Sequence, residues 1–320
     1  MAVSAGTGGP VLVLRALGLG DLLTAVPALR GLRRALPGER IALAAPAALA
    51  DLLPLVGAVD ALLPTRDLRD LDWCGAPPRL AVNLHGSGPE SVLALASAGA
   101  QEVWTHEHEA FPHLRGPRWV EDQHEVARWA RMLRHFDVPV DTGDLHLAQP
   151  AEPLLPGSVV LHPGASTEAR RWPAERFAEV AAQLARAGEQ VVLTGDAGER
   201  DRARRVAELA DLPPEAVLAG RTSLPQLVAL VSGARLVLCG DTGLGHVATA
   251  CATPSVLLFG PVSPHRWGPP DRAQHVVLWS GSTGDTFADE PDPGLLQVSV
   301  DEVVRSCEEL LDTRPVAGRR

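Results

Sequence analysis

The stretch 234–261, ARLVLCGDTGLGHVATACATPSVLLFGP, constrains the fold of this chain more than any other. It opens with Leu236-Val237-Leu238-Cys239, an apolar run of strand length, and such a run belongs in a parallel sheet covered on both faces. The run breaks at Gly240-Asp241-Thr242-Gly243. A helix of small residues is expected through Thr249, and Val256-Leu257-Leu258-Phe259 returns as a second apolar strand before Gly260-Pro261. Strand, glycine turn, helix and strand make a βαβ unit. Its turn lies at the C-terminal edge of the sheet, where open α/β sheets bind ligands. The glycines keep side chains out of the way, and the unpaired N–H groups of the helix start favour an anion. Two local readings stay open: Asp241 or Thr242 simply caps the helix with His246 facing solvent, or the turn holds a ligand.

The first half repeats the scheme. Val11-Leu12-Val13-Leu14 reads as a buried strand, Gly18-Leu19-Gly20-Asp21 as a turn, and 22–36 as a helix that Pro27 kinks or opens with a tight first turn. Leu23 stands where a dinucleotide fingerprint needs its third glycine, so that motif fails. Asp21 either caps its helix or presents a carboxylate to a cleft. Strands are expected at 41–45, 61–63, 80–84 and 102–104, and helices at 47–53 and 91–98. Asn83, His85 and Ser87 lie at and after the end of strand 80–84, lining a cleft or an ordinary loop. The segment 105–119 is the least regular. Its His106, His108 and His113 match no metal-ligand spacing and no Cys is near, so a mobile substrate-facing loop is preferred to a metal site. An amphipathic helix is expected over 121–136, with His124 on its surface or, alternatively, at the cleft. The Pro-rich stretch 137–155 is read as the linker between two domains, 1–150 and 151–320.

In the second half Val159-Val160-Leu161 is a strand running into His162-Pro163-Gly164-Ala165-Ser166-Thr167. Arg170-Arg171-Trp172-Pro173 comes next, with Pro173 in the first turn of a helix reaching residue 184. Amides, hydroxyls and one Arg before a helix suit a diphosphate, the other Arg being a solvated charge. Strand 190–193 ends in 194–199, where Glu199 holds a ribose or a base, or only starts helix 200–209 favourably against its dipole. A short strand from 217, a helix 224–232, a strand 276–279 and a helix from 299 to about 311 complete the pattern. The acidic 280–295 is irregular, and the last residues are expected to be disordered. Two Rossmann-like α/β domains facing each other across a central cleft are the simplest architecture, with the final helix able to pack back on the first.

Composition narrows the function. The 320 residues are 46% hydrophobic and 21% charged, enough for two globular domains. A net charge of -10 argues against nucleic acid, whose phosphates need neutralising. All 29 basic residues are Arg. Without Lys there is no Walker-A loop, no Schiff base and no kinase lysine, and any phosphate clamp must be an Arg fork. Cys74, Cys239, Cys251 and Cys307 form no C-x-x-C pair and read as reduced core or near-core thiols. The start lacks a basic region, and Arg15 and Asp21 interrupt the apolar stretch after it. The expectation is a cytoplasmic protein with no integral membrane segment, peripheral membrane contact aside.

Taken in order, these motifs resemble the heptosyltransferases of glycosyltransferase family 9, which have the GT-B fold; the similarity covers about residues 11–279. Leu17-Gly18-Leu19-Gly20-Asp21, with Pro27 and Leu29 further on, resembles the family's first signature, and the resemblance implies a catalytic base at Asp21. His162-Pro163-Gly164-Ala165-Ser166 with Arg170-Arg171-Trp172-Pro173 is similar to the second. Arg170 stands where the family usually has a Lys on the diphosphate, a change that keeps charge and adds bidentate reach. Ala165 and Ser166 match phosphate-contacting positions, Glu199 a nucleotide-contacting glutamate and Thr222 a position lining the base pocket. Asp241-Thr242-Gly243 with His246 resembles the third signature, D-[ST]-G-x-x-H. Phe259-Gly260-Pro261 with Gly268-Pro269 is similar to the residues that members carry after that signature. Asn83-Leu84-His85-Gly86 departs from the pattern, since members often show Asp first. That position and Gly20 are on the acceptor side.

The resemblance implies inverting, metal-independent transfer without a cofactor, the nucleotide-sugar being a co-substrate, usually ADP-L-glycero-β-D-manno-heptose. The acceptor is a glycan, a lipid-linked saccharide or a small molecule. Asp21 takes the acceptor proton, while Ser166, Arg170 and the Thr242–Gly243 amides hold the diphosphate. Asp241 receives sugar hydroxyls or caps its helix. Two alternatives share the plan: a nucleotide-sugar epimerase acting on the donor alone, and a non-catalytic nucleotide-sugar binder.

Overall fold

The computed structural model describes residues 9–313. Most of the opening stretch read as lacking a basic region, and the tail expected to be disordered, lie outside the described residues. The chain forms two compact units, Met1–Ala148 and Gln149–Arg320.

The first unit contains β1 (Val11–Leu14), α1 (Leu19–Ala35), β2 (Ile41–Ala45), α2 (Leu53–Val56), β3 (Ala61–Pro64), β4 (Leu80–Asn83), α3 (Glu90–Ser97), β5 (Glu102–Trp104) and α4 (Glu125–His135). The sheet order is β3-β2-β1-β4-β5, and every pairing is parallel. Strands β1, β2 and β4 are buried at every residue, which is why they read as unbroken apolar runs rather than alternating ones. Because β2 and β4 flank β1 on opposite sides, the chain leaves the C-terminal ends of β1 and β4 in different directions. The crevice this opens between adjacent strand ends is the ligand position of such sheets.

Three elements differ from the sequence expectation. Helix α1 starts at Leu19, because the Leu22 N–H already bonds the Gly18 carbonyl at 3.1 Å; Pro27 is therefore buried mid-helix and opens no first turn. The stretch expected as a helix at 47–53 is a 3-10 segment, Ala47–Leu52, running into α2. Helix α4 begins four residues later than its amphipathic pattern suggested. The carbonyls of Val120, Glu121 and Gln123 accept from the Arg128 guanidinium at 2.5, 3.1 and 3.2 Å, and His124 becomes the N-cap, its Nδ1 accepting from the Val126 N–H.

The second unit contains β6 (Val159–His162), α5 (Ala174–Arg186), β7 (Val191–Leu193), α6 (Arg200–Leu209), α7 (Leu224–Gly233), β8 (Leu236–Gly240), α8 (Gly243–Ala250), β9 (Ser255–Leu258), α9 (Pro264–Trp267), β10 (His275–Leu278) and α10 (Val300–Asp312). Its parallel order, β10-β9-β8-β6-β7, again puts a change of direction beside the first strand, between β6 and β8. The strand expected from 217 shrinks to one bridge, Val217 opposite Leu193. The 3-10 turn Pro214–Ala216 precedes it, and Gly220, at φ 67, turns the chain away after it. Pro173 is the N-cap of α5 rather than its first residue. Trp172 is wholly buried, meets Phe177 edge-on at 5.2 Å and donates to the Val298 carbonyl at 3.1 Å, which ties the β6–α5 loop to the segment before α10. Helix α10 packs on α5, β8 and β9. Cys74 is exposed, unlike the core or near-core thiol expected there. No helix among the described residues is long and apolar enough to cross a membrane.

Candidate active site

In the second unit the ends of β6 and β8 are neighbours in the sheet, His162 lying opposite Cys239. The loop after β6 carries Ala165, Ser166 and Arg170. Ser166 is exposed, and Ala165 is buried and offers backbone only. The two arginines part company. Arg170 Nη1 lies 3.5 Å from Asp241 Oδ2, whereas Arg171 turns back to donate to the Ala165 carbonyl at 3.0 Å and to pair with Glu168. Arg202 of α6 fastens both ends of the loop, donating to the carbonyls of Pro163 at 2.7 Å and Trp172 at 2.6 Å.

At the end of β8 the backbone of Gly240 passes the Arg170 carbonyl so closely that a Cβ there would sit 3.3 Å from it. Thr242 is the N-cap of α8 by backbone conformation, and its side chain makes no cap hydrogen bond. Gly243 and Leu244 are the first helical residues, within reach of the positive end of the helix dipole. His246 lies on the first turn of α8, half-buried and edge-on to Trp267 with ring centres 6.2 Å apart, and does not face open solvent. A guanidinium, a hydroxyl-bearing loop and a helix start thus gather at one sheet edge, a donor set suited to a multiply charged anion such as a diphosphate.

Glu199 closes the next loop of the same edge. Its Oε2 accepts from the Asp196 N–H at 2.9 Å, Asp196 Oδ1 accepts from the Glu199 N–H at 2.9 Å, and His162 Nε2 is 3.7 Å away. The carboxylate lies flat on Gly164, where a Cβ would strike it. Burial lowers the pKa of His162, against the pull of Glu199. Thr222 precedes the capping box that Ser223 and Gln226 build at α7. A groove of about 630 Å³ along α6, lined by Arg200, Arg204, Val217, Ala219 and Arg221 among others, does not include Thr222.

In the first unit Asp21 sits in the first turn of α1 with 26% of its side chain exposed. Burial raises the pKa of its carboxyl; Arg15 opposes that shift, and Glu125 adds to it. A half-buried carboxylate with enhanced proton affinity and an open side is the equipment of a general base. Gly20 lies beside it on the same turn. Across the switch point the strand pairing sets Leu14 against Asn83. Asn83 does not line an open surface. It is wholly buried, donating to Gly86, Ser91 and Thr105 and accepting from the His85 N–H, so it shapes the loop. His85 is the half-exposed group there, its pKa held down to about 4 by burial and by Arg15.

The histidines of 105–119 do not come together, and no group of three or more His, Cys, Asp or Glu among the described residues could hold a metal. His106 is not on a loose loop at all: it is wholly buried, edge-on to Trp119 and Trp129. Sequence reasoning missed Arg15, Glu125, Arg128 and Arg202. For Arg15 a signal existed, a lone charge directly after four apolar strand residues. Helical Glu125, Arg128 and Arg202 look like solvated positions, and nothing local marks them.

The family model of glycosyltransferase family 9 (heptosyltransferase) matches residues 95–290. Lipopolysaccharide heptosyltransferase 1 of Pseudomonas aeruginosa is 29% identical over 301 residues, covering 82% of each chain. Among solved structures, a glycosyl transferase family 9 protein from Veillonella parvula superposes with a TM-score of 0.80 at 22% identity, over 98% of this chain and 99% of that one. The E. coli ADP-heptose lps heptosyltransferase II reaches 0.74 at 23% identity, over 95% and 99%. The two parallel five-stranded sheets are thus of the GT-B kind expected from the sequence.

Proposed function

The chain belongs to glycosyltransferase family 9 and is a glycosyltransferase, and from that premise we propose that it moves a heptosyl residue from ADP-heptose to a hydroxyl of a lipopolysaccharide core acceptor, with inversion at the anomeric carbon. The second unit holds the donor. Arg170, Ser166 and the amides opening α8 take the diphosphate, Glu199 the ribose, and Thr222 the base. Asp241, an anion beside a diphosphate, takes sugar hydroxyls and keeps Arg170 oriented. The first unit holds the acceptor, and Asp21 accepts the hydroxyl proton as the oxygen attacks the face opposite the departing ADP. The charge growing on ADP is met by Arg170 and the α8 dipole, donors already aimed before the reaction starts. Reaction takes place in the cytoplasm, where the nucleotide-sugar is available.

One observation carries the reading: Arg170 and the start of α8 lie together at the β6–β8 switch point. The names of the relatives, lipopolysaccharide and ADP-heptose heptosyltransferases, support the choice of donor and acceptor. The experiment incubates the protein with ADP-heptose, with and without heptose-deficient lipopolysaccharide. The expected result is ADP release and a heptosylated product only when acceptor is present. An altered nucleotide-sugar formed without acceptor identifies an epimerase, and tight donor binding with no product across an acceptor panel identifies a binding protein.

A further inference from the structure

Arg15 is only 1% exposed, at the end of β1, where an uncompensated guanidinium is very costly. Its N–H groups reach five acceptors from three further elements. Nε donates to the Asp21 carbonyl at 3.1 Å and Nη1 to the Leu84 carbonyl at 2.6 Å, while Nη2 faces Asp21 Oδ1 at 3.1 Å, Thr24 Oγ1 at 3.4 Å and Glu125 Oε1 at 3.0 Å. A single nitrogen is thus shared between two carboxylates. Glu125 cannot follow Asp21 if it moves: its Oε1 also accepts from Trp129 Nε1 at 2.9 Å and its Oε2 from Arg128 Nε at 3.0 Å. Arg128 is itself stacked 3.9 Å over Trp119.

We propose that Arg15 and Glu125 are a positioning pair for Asp21, Arg15 fixing one carboxylate oxygen while Glu125, anchored by α4, draws off part of the guanidinium charge. The inference rests on the reading of Asp21 as the base. A carboxylate locked to an undivided cation is a poor base, because the ion pair stabilises the ionised form. Sharing Arg15 with Glu125 keeps the geometry and restores proton affinity. The charged or titratable groups around Asp21 are Arg15 directly after β1, Glu125 and, behind it, Arg128 from α4, and His85 from the loop after β4, which burial and Arg15 keep neutral above about pH 4.

The pair makes two substitutions act in opposite directions. Glu125→Gln keeps the shape and an oxygen for Trp129 and Arg15 but removes the charge, so Arg15 serves Asp21 alone. The Asp21 carboxyl then titrates lower, and the acid limb of kcat moves to lower pH, with kcat reduced and KM for ADP-heptose unchanged. The double variant R15Q/E125Q is neutral overall at the pair, and it strips Asp21 of its cation. Its titration and acid limb move above wild type. Both are read on the full chain, by the carbon-13 shift of the Asp21 carboxyl assigned with Asp21→Asn, and by pH profiles with ADP-heptose and heptose-deficient lipopolysaccharide. Arg15→Lys keeps the charge with fewer contacts and is expected to lower kcat while leaving the limb near wild type.

Folded variants whose Asp21 titration stays put, or moves the same way in both, overturn the pairing. If Asp21→Asn turns over at the wild-type rate, the base reading fails instead, and the carboxyl titration still decides the pairing.

Discussion

Nη1 of Arg170 stands 3.5 Å from Oδ2 of Asp241, so the loops after β6 and β8 hold each other by opposite charges at the sheet edge. On the proposed function, a diphosphate entering there competes with Asp241 for the guanidinium, and its charge is the greater. Arg170→Ala is expected to weaken ADP binding by about 10- to 100-fold, the worth of a charge-assisted hydrogen bond. Arg170→Lys should recover part of that loss through charge alone. Calorimetric titration with ADP measures both; equal affinities across the three proteins would remove Arg170 from the donor site.

Gly164 is required by closeness rather than by backbone conformation. An added Cβ would run into the Glu199 carboxylate, which the Asp196 N–H holds in place. Gly164→Ala should swing Glu199 away and reduce nucleotide affinity by about tenfold, while Glu199→Ala does the same. Because the two act through one carboxylate, the double variant should be no worse than either single one. Additive losses would show that Gly164 matters for another reason.

Acid stability should depend on His106. Burial, then Arg131 and Arg128, lowers its pKa from 6.5 to about 3, and neither ring nitrogen has a hydrogen-bond partner among the described residues. The unfolded chain therefore takes the proton first. The stabilising contribution is complete above pH 6.5 and is lost progressively as the pH falls from there toward 3. His106→Phe, which keeps the ring among Trp119 and Trp129, should flatten that slope by a few kcal/mol over the window in urea titrations. Some slope remains, because burial also holds His85 and His275 down to about 4. Parallel curves for wild type and variant would contradict this.

The parts of the molecule legible in the sequence were those where one local signal suffices. Buried parallel strands show as apolar runs, so 236–239, 11–14 and 41–45 were placed within a residue or so of β8, β1 and β2. The glycines at 18 and 240 mark the sheet edge by themselves, although α1 already begins at Leu19. What stayed hidden was long-range pairing of charge. Nothing near Glu125 announces that it will meet Arg15, 110 residues earlier, or that Arg202 will pin the carbonyls of Pro163 and Trp172. The late start of α4 has the same origin, since Arg128 captures carbonyls that a longer helix would have used. Asn83, a polar residue at a strand end, looks accessible in the sequence, whereas its four hydrogen bonds are all internal.

The central claim is that Asp21 removes the proton from an acceptor while the other unit grips the donor, and Asp21→Asn tests it most directly. The variant keeps a side chain of the same size against Arg15, so it should fold and bind ADP-heptose as wild type does. With saturating ADP-heptose and heptose-deficient lipopolysaccharide, its transfer rate should fall by roughly 10²–10⁴-fold, the usual worth of a positioned base. A variant that binds donor normally and transfers heptose at the wild-type rate would contradict the account.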